Sequence, residues 1–235
     1  LYIFVIIFMM GCTLALGRQK KELDFDIVYD ESKVPAYHLP ELLISADGDT
    51  VDTPEKWTTK RRPEILSLFA NLVYGRIPFS SNPMLTDVKI ENVDVNFMNG
   101  KATRKNVCLL FRNIKGRAEM NILIFTPNDA DLPVPAFMLL NFDDNASTKL
   151  DINPNDPTKL KSGLPLAEML DRGYAFISVY QQDLIAHNEV DFDRGIQPLF
   201  FQHGQSFPKA HEWGVLATIG WGAMRALDYL ESDEK

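Results

Sequence analysis

Apolar and polar positions alternate along Val88-Lys89-Ile90-Glu91-Asn92-Val93-Asp94-Val95-Asn96-Phe97. A period of two predicts a strand with one face in water. Asn99-Gly100 follows as a hairpin signal, and Thr103–Arg112 and Met120–Phe125 continue the strand pattern. Two later runs differ. Pro135–Leu140 and Gly173–Tyr180 are apolar at nearly every position, which predicts strands buried on both faces. Between them lies a polar stretch, Asp143–Pro157, that reads as a long loop, then a short helix over Leu164–Asp171.

Helical spacing appears twice more. Thr53-Pro54-Glu55 can cap a helix, and over Arg61–Gly75 the residues Ile65, Leu68, Phe69, Leu72 and Val73 share one face before Gly75 stops it. The best-formed segment is Glu212–Glu231. There Trp213, Leu216, Ala217, Gly220, Met224 and Leu227 recur at three- and four-residue spacing. Its small residues Ala217, Gly220 and Ala223 permit close approach to a sheet or helix. The order of elements predicts an α/β fold: parallel units in the second half, an antiparallel edge in the first.

Composition narrows the classes. The chain has 235 residues, 46% of them hydrophobic, enough to bury a core. Lys+Arg 24 against Asp+Glu 32 gives a net charge of -8 with no basic block, which argues against nucleic acid as a partner. Residues 1–17 have the apolar run of a signal peptide, too short for a membrane span. Gly11-Cys12 after that run allows a lipoprotein signal, with Cys12 lipidated. The expectation is an exported protein, secreted, periplasmic or lipid-anchored, with no transmembrane span in the mature chain. Residues 18–52, polar and punctuated by Pro35 and Pro40, read as an extended arm with a turn at Asp47-Gly48.

Chemistry in an α/β sheet is sought beyond the carboxyl ends of the strands. Asn141–Asn145 and Tyr180–Asp183 are such ends; strand termination alone also accounts for them. Ser206, in Gly204-Gln205-Ser206-Phe207-Pro208, comes nearest to a nucleophile elbow, but Pro208 stands where the second glycine belongs. A loop serine is the better reading. His38, His187, His203 and His211 lack metal-ligand spacing, and no cofactor or metal is expected. Cys108, in an apolar strand, reads as a buried inert thiol.

Several segments, taken in order, resemble one family. They are Trp57, Arg61-Arg62-Pro63-Glu64-Ile65-Leu66, Tyr74-Gly75-Arg76-Ile77-Pro78, Pro133–Phe142, Arg172-Gly173-Tyr174-Ala175, Glu212-Trp213-Gly214 and Trp221–Leu230. The chain resembles the glucuronoyl esterases of carbohydrate esterase family 15 and bacterial relatives often labelled acetylxylan esterases. The resemblance implies an α/β-hydrolase fold, a three-layer α/β/α sandwich with a mostly parallel sheet and an antiparallel edge, of which residues 53–235 are the N-terminal part. It implies a serine triad cleaving the ester between 4-O-methyl-glucuronic acid on xylan and lignin alcohols. The partner would be polysaccharide, glucuronoxylan or a lignin-carbohydrate ester, and the complete protein a monomer. The family's nucleophile elbow follows the Trp-Gly helix, with acid and histidine later still. All three are therefore expected beyond Lys235, and this chain alone is expected to be inactive. Every histidine here precedes the expected serine, so none is expected to be catalytic, because the fold's order is Ser, acid, His. What the resemblance implies for this chain is cleft lining at Asn141, Tyr180, Asp183 and Trp213. Acetylxylan-type hydrolysis, or polysaccharide binding without turnover, are the alternatives.

Overall fold

The computed structural model describes residues 28–78, 84–131, 133–142, 144–145, 150–185, 192 and 194–233. Residues 1–17 with Cys12, and His187, lie outside them. The chain divides into two units, Leu1–Leu42 and Leu43–Lys235. In the first, a single 3-10 turn, Glu31–Lys33, interrupts extended chain, and the Asp30 carboxylate accepts from Ser32 N at 3.1 Å. The rest concerns the second unit.

Its chain enters through the expected turn, where Gly48 takes φ +90° and donates from N to Ser45 O at 2.9 Å. Thr53 then caps α1 (Pro54–Lys56), its Oγ1 accepting from Lys56 N at 3.2 Å. The helix continues through a π-helical turn, Trp57–Arg61, into α2 (Arg62–Leu72). Pro63 has no N–H for an α-helical bond, and the wider turn lies directly before it. The apolar face expected on α2 is present but uncovered: Leu68, Phe69, Leu72 and Val73 are all exposed among the described residues.

β1 (Met84–Asn96) and β2 (Ala102–Asn113) form the expected antiparallel hairpin. The connection is a four-residue turn, α3 (Phe97–Gly100), in which Met98, Asn99 and Gly100 take positive φ in succession. Asparagine and glycine tolerate that region best. β3 (Gly116–Pro127) pairs antiparallel with β2. β4 (Ala136–Asn141) is followed by a small hairpin, β5 (Ile152–Asn153) and β6 (Asp156–Leu160), within and just beyond the stretch that reads as a polar loop. Leu150, Leu160 and the partly buried Ile152 anchor the hairpin, and its polar surroundings hide that signal. α4 (Leu166–Asp171), β7 (Ala175–Tyr180) and α5 (Val215–Ser232) complete the unit. The five-stranded sheet runs β1-β2-β3-β7-β4. It is mixed: β3 pairs antiparallel with β7, and only β4–β7 is parallel among the described strands.

Period-two alternation splits the core between the faces of this sheet. Ile122, Ile124, Ile177 and Val179 join Trp213, Trp221 and Ala226 on one side. Leu123, Phe125 and Phe176 join Leu166, Leu170, Leu150 and Leu160 on the other. β7 is buried on both faces, as its run predicts. β4 is not. It pairs only with β7 among the described strands, and Phe137 is 54% exposed.

α5 begins at Val215, three residues inside its predicted span, so Glu212 and Trp213 precede it, and its packing face is turned away from the expected one. Ala217, Trp221, Ala226 and Tyr229 are in the core, while Leu216 (67% exposed), Met224 and Leu227 face outward. Both stripes are apolar, so spacing alone could not choose between them. Small residues do allow close approach: Ala217 is in the core, as expected, and Gly222, not Gly220, is the tightly packed glycine. A Cβ on Gly222 would lie 2.1 Å from Leu184 Cδ1, whereas one on Gly220 would meet nothing within 4 Å.

Candidate functional site

The parallel pair β4–β7 sets Asn141 directly opposite Tyr180 in register. Both strands end here, and the chain after each turns polar. Asn141 is buried, and a hollow of about 400 Å³ opens beside it, walled by Leu139, Leu150, Phe176 and the turn from Ser162 to Pro165. The Tyr180 hydroxyl lies 3.2 Å from Gln182 Oε1, to which it donates.

Beyond these ends a buried polar network joins three segments. Asn145, 4% exposed, donates through Nδ2 to Asn121 O at 2.9 Å and Ser178 O at 3.2 Å. Its Oδ1 accepts from Ser178 Oγ at 2.8 Å. Asn121 in turn donates to Asp183 Oδ2 from both its backbone N and its Nδ2, each at 2.8 Å. Asp183 sits on the 3-10 turn Gln181–Asp183 that follows β7. Burial pushes its carboxyl above the ordinary value of 3.8; the two Asn121 donors oppose this, and the charges of Asp144 and Glu119 add to it. A partly desolvated carboxylate at the carboxyl end of a strand is the kind of group that binding sites contain.

Asn141 and Tyr180 thus stand side by side, Asp183 lies on the turn that follows β7, and Trp213 is not among them. Its ring is 2% exposed and packs edge-on against Phe200 at 4.9 Å and Trp221 at 6.1 Å, while its backbone O accepts from Gln197 Nε2 at 2.9 Å. In this structure Trp213 is core: it lies just before α5, and its ring is enclosed by Phe200 and Trp221. Asn121 and Ser178 escaped the sequence reading. The one available signal was a lone polar residue inside an apolar strand, which is ambiguous without the fold.

Ser206 and His203 share an exposed hollow of about 520 Å³ with Lys115, Phe192 and Phe201. Among the described residues no hydrogen bond joins Ser206 to His203 or His211, so nothing there activates a hydroxyl. His38 and His211 are exposed. Cys108 is buried, and burial raises its thiol pKa, which keeps it protonated and inert. Among the described residues no group of three or more His, Cys, Asp or Glu could hold a metal ion, and no helix is long and apolar enough to cross a membrane.

This geometry can be set beside known proteins. A curated carbohydrate esterase from an unknown prokaryotic organism is 30% identical over 231 residues, covering 87% of this chain and 52% of the relative. The solved glucuronoyl esterase from Solibacter usitatus matches with a TM-score of 0.74 and 33% identity, over 87% of this chain and 56% of that one. The chain is similar in sequence and fold to family 15 glucuronoyl esterases. A promiscuous family 15 esterase from a marine bacterial metagenome also matches, with a TM-score of 0.64 and 27% identity, over 88% of this chain and 56% of that one. No family model matches the sequence. The mixed sheet flanked by α4 and α5 fits the α/β-hydrolase fold of these esterases. The chain spans about half the length of the relatives it matches.

Proposed function

We propose that these residues belong to an exported serine carboxylester hydrolase that cleaves glucuronoyl esters of plant cell-wall xylan. One observation carries the reading from the geometry. The carboxyl ends of β4 and β7 stand side by side at Asn141 and Tyr180, with Asp183 and Asn145 just beyond. That is where open α/β sheets bind ligands. The likeness to glucuronoyl esterases supports the substrate class.

In this reading residues 1–235 supply one wall of the cleft, and the serine, acid and histidine come from outside them. The serine attacks the ester carbonyl as the histidine takes its proton. Backbone amides and an arginine hold the oxyanion, and the alcohol leaves with that proton. Water then repeats the attack and releases the uronate. No Ser–His pair is joined among the described residues, which supports placing the triad elsewhere. The complete protein acts as a monomer on glucuronoxylan or lignin-carbohydrate esters without a cofactor.

The test is turnover of a 4-O-methyl-glucuronate methyl ester, with acetylated xylan in parallel. The full-length protein is expected to hydrolyse the uronate ester, and residues 1–235 alone to hydrolyse neither. Turnover by residues 1–235 would refute the placement of the triad. Preference of the full-length protein for acetylated xylan would replace the glucuronoyl assignment by an acetyl esterase.

A further inference from the structure

The turn that joins β2 to β3 lies at the same end of the sheet as Asn141 and Tyr180. β3 pairs antiparallel with β7 as far as Ile122 opposite Val179, so residues 116–121 run on past that pair, on the side where β7 and β4 finish. From Asn121 back to Gly116 the strand rise amounts to roughly 17 Å, which carries the turn well past the Asn121–Asp183 contact. Between this turn and the loop of residues 197–212 is the hollow of about 520 Å³ that contains His203 and Ser206.

Side chains, not regular structure, fix its walls. Asn113 Nδ2 donates to Leu199 O at 2.7 Å, and Lys115 Nζ donates to Phe201 O. Gln197 Nε2 holds the base of the loop to Trp213 O at 2.9 Å. Gln205 ties the opposite side: its Oε1 accepts from Gln202 N at 2.9 Å, and its Nε2 donates to Phe207 O at 2.8 Å and to Glu212 Oε2 at 2.5 Å. Walls held in this way need little ordering when a ligand enters.

The lining has two characters. Ile114, Pro198 and Phe201 supply apolar surface. Gln202, His203 and Ser206 are exposed, and their side chains bond to no other described residue. No carboxylate lines the hollow among the described residues, so a metal ion or an organic cation finds no counter-charge there. Its one ammonium group, Lys115, is bonded to a backbone carbonyl and keeps further N–H donors. Glu212, behind Gln205, is paired with Lys209 at 3.8 Å. A neutral ligand with apolar C–H faces and a rim of hydroxyls fits both characters at once, and a pyranose ring is such a ligand.

We propose that this hollow is a subsite for a neutral pyranose of the substrate's polysaccharide chain, away from the ester that is cleaved. This rests on the polysaccharide esterase reading above. It adds a direction: the sugar chain runs across the end of the sheet, from Asn141 and Tyr180 towards the β2–β3 turn.

Two substrates separate the subsite from the chemistry. A glucuronoyl ester on a long neutral xylo-oligosaccharide reaches the hollow, and the methyl ester of glucuronate does not. In the full-length protein, Gln202→Ala combined with His203→Ala should raise KM for the long ester about tenfold more than for the methyl ester, with kcat on the long ester within about twofold. Both positions are exposed in a loop, so the fold is not at stake. Equal KM changes on the two esters, or none on either, overturn the proposal.

If the wild type turns over neither ester, the esterase reading fails; if it does not turn over both, calorimetric titration with xylohexaose decides the subsite. Roughly tenfold weaker binding by the double variant supports it. Equal binding by both proteins, or none by the wild type, overturns it. Free glucuronate is titrated alongside, and tighter binding of glucuronate than of xylohexaose, lost in the double variant, would make the hollow an anion site and overturn the neutral assignment. The His203 ring protons, followed by NMR in the wild type, should shift as xylohexaose saturates the protein, and unmoved signals place the sugar elsewhere and overturn the proposal.

Discussion

Gly75 and Glu212 meet backbone to backbone: a Cβ on Gly75 would lie 2.0 Å from Glu212 O. Around this contact Arg76 N donates to His211 O and Gly214 N to Tyr74 O, each at 2.9 Å. Two of the segments that carry the family resemblance, Tyr74-Gly75-Arg76 and Glu212-Trp213-Gly214, are therefore one junction in space. The glycine is required twice, by its φ of +79° and by the lack of room.

Replacing Gly75 by Ala should destabilise the protein by more than about 2 kcal/mol, from left-handed strain plus displaced backbone. Gly48→Ala is the control. Gly48 has φ +90° but nothing within 4 Å of the added methyl, so its loss should stay near about 1 kcal/mol. Urea unfolding of the two variants measures the difference; equal losses would mean that the Glu212 contact yields at no cost.

At the far end of α5, Lys105 Nζ lies 2.5 Å from Asp233 Oδ2, with both side chains largely buried. Asp233→Asn removes the carboxylate from this largely buried, charge-assisted hydrogen bond and should cost about 1.5–3 kcal/mol. Tyr229 OH donates to the same Oδ2 at 3.2 Å, and burial, with the Asp233 charge behind it, pushes the phenol up to about 12. A folded pKa above the unfolded value of 10.0 means that the stabilisation is complete below pH 10 and is lost as pH rises towards 12. Chemical denaturation between pH 9 and pH 12 should show this loss in the wild type and a smaller one in Tyr229→Phe.

The two stripes of α5 should respond oppositely to substitution. Trp221, buried against Phe111 at 5.1 Å between ring centroids, should cost roughly 3–5 kcal/mol when changed to Ala. Leu216→Glu, on the exposed stripe, should change the stability of residues 1–235 by under about 0.5 kcal/mol and raise their solubility, because an apolar patch is interrupted. Denaturation midpoints and the soluble fraction at fixed concentration check both. A large loss from Leu216→Glu would show that the outer stripe is packed.

Cys108 should resist alkylation by iodoacetamide in the native protein and react readily in urea. The barrier is twofold, lost access and a thiol kept protonated by burial. Labelling at the same rate with and without denaturant would show that the strand opens easily.

Much of this fold was legible because period and composition agree within one element. The Asn99-Gly100 reversal and the two-sided run of β7 match the structure; β1 is a strand, as its alternation predicts, but its apolar positions Val88, Ile90, Val93 and Val95 are exposed among the described residues. Three features were not legible, each for a physical reason. The face of α5 was ambiguous because Trp221 with Tyr229 and Leu216 with Leu227 offer two apolar stripes on one helix. β4 reads as two-sided from composition, but burial depends on neighbours, and β7 is its only strand partner among the described residues. The polar network was half visible. Asn145 and Asp183 lie in polar strand-end segments, but the residues that connect them, Asn121 and Ser178, sit inside apolar strands 57 positions apart. Only the β3–β7 pairing brings those two together.

The Lys105–Asp233 pair also has a consequence for how the chain is made. The carboxylate is synthesised 128 residues after its lysine. At roughly 5–20 residues per second that is on the order of ten seconds. Through that interval β1, β2 and β3 can already pair as neighbouring hairpins, yet the sheet face that α5 covers is still wet, and the lysine with it. Arrival of the helix from the ribosome closes the face and brings the carboxylate to its lysine in one event. Among these elements, α5 is translated after the strands it covers, and it locks their shared face.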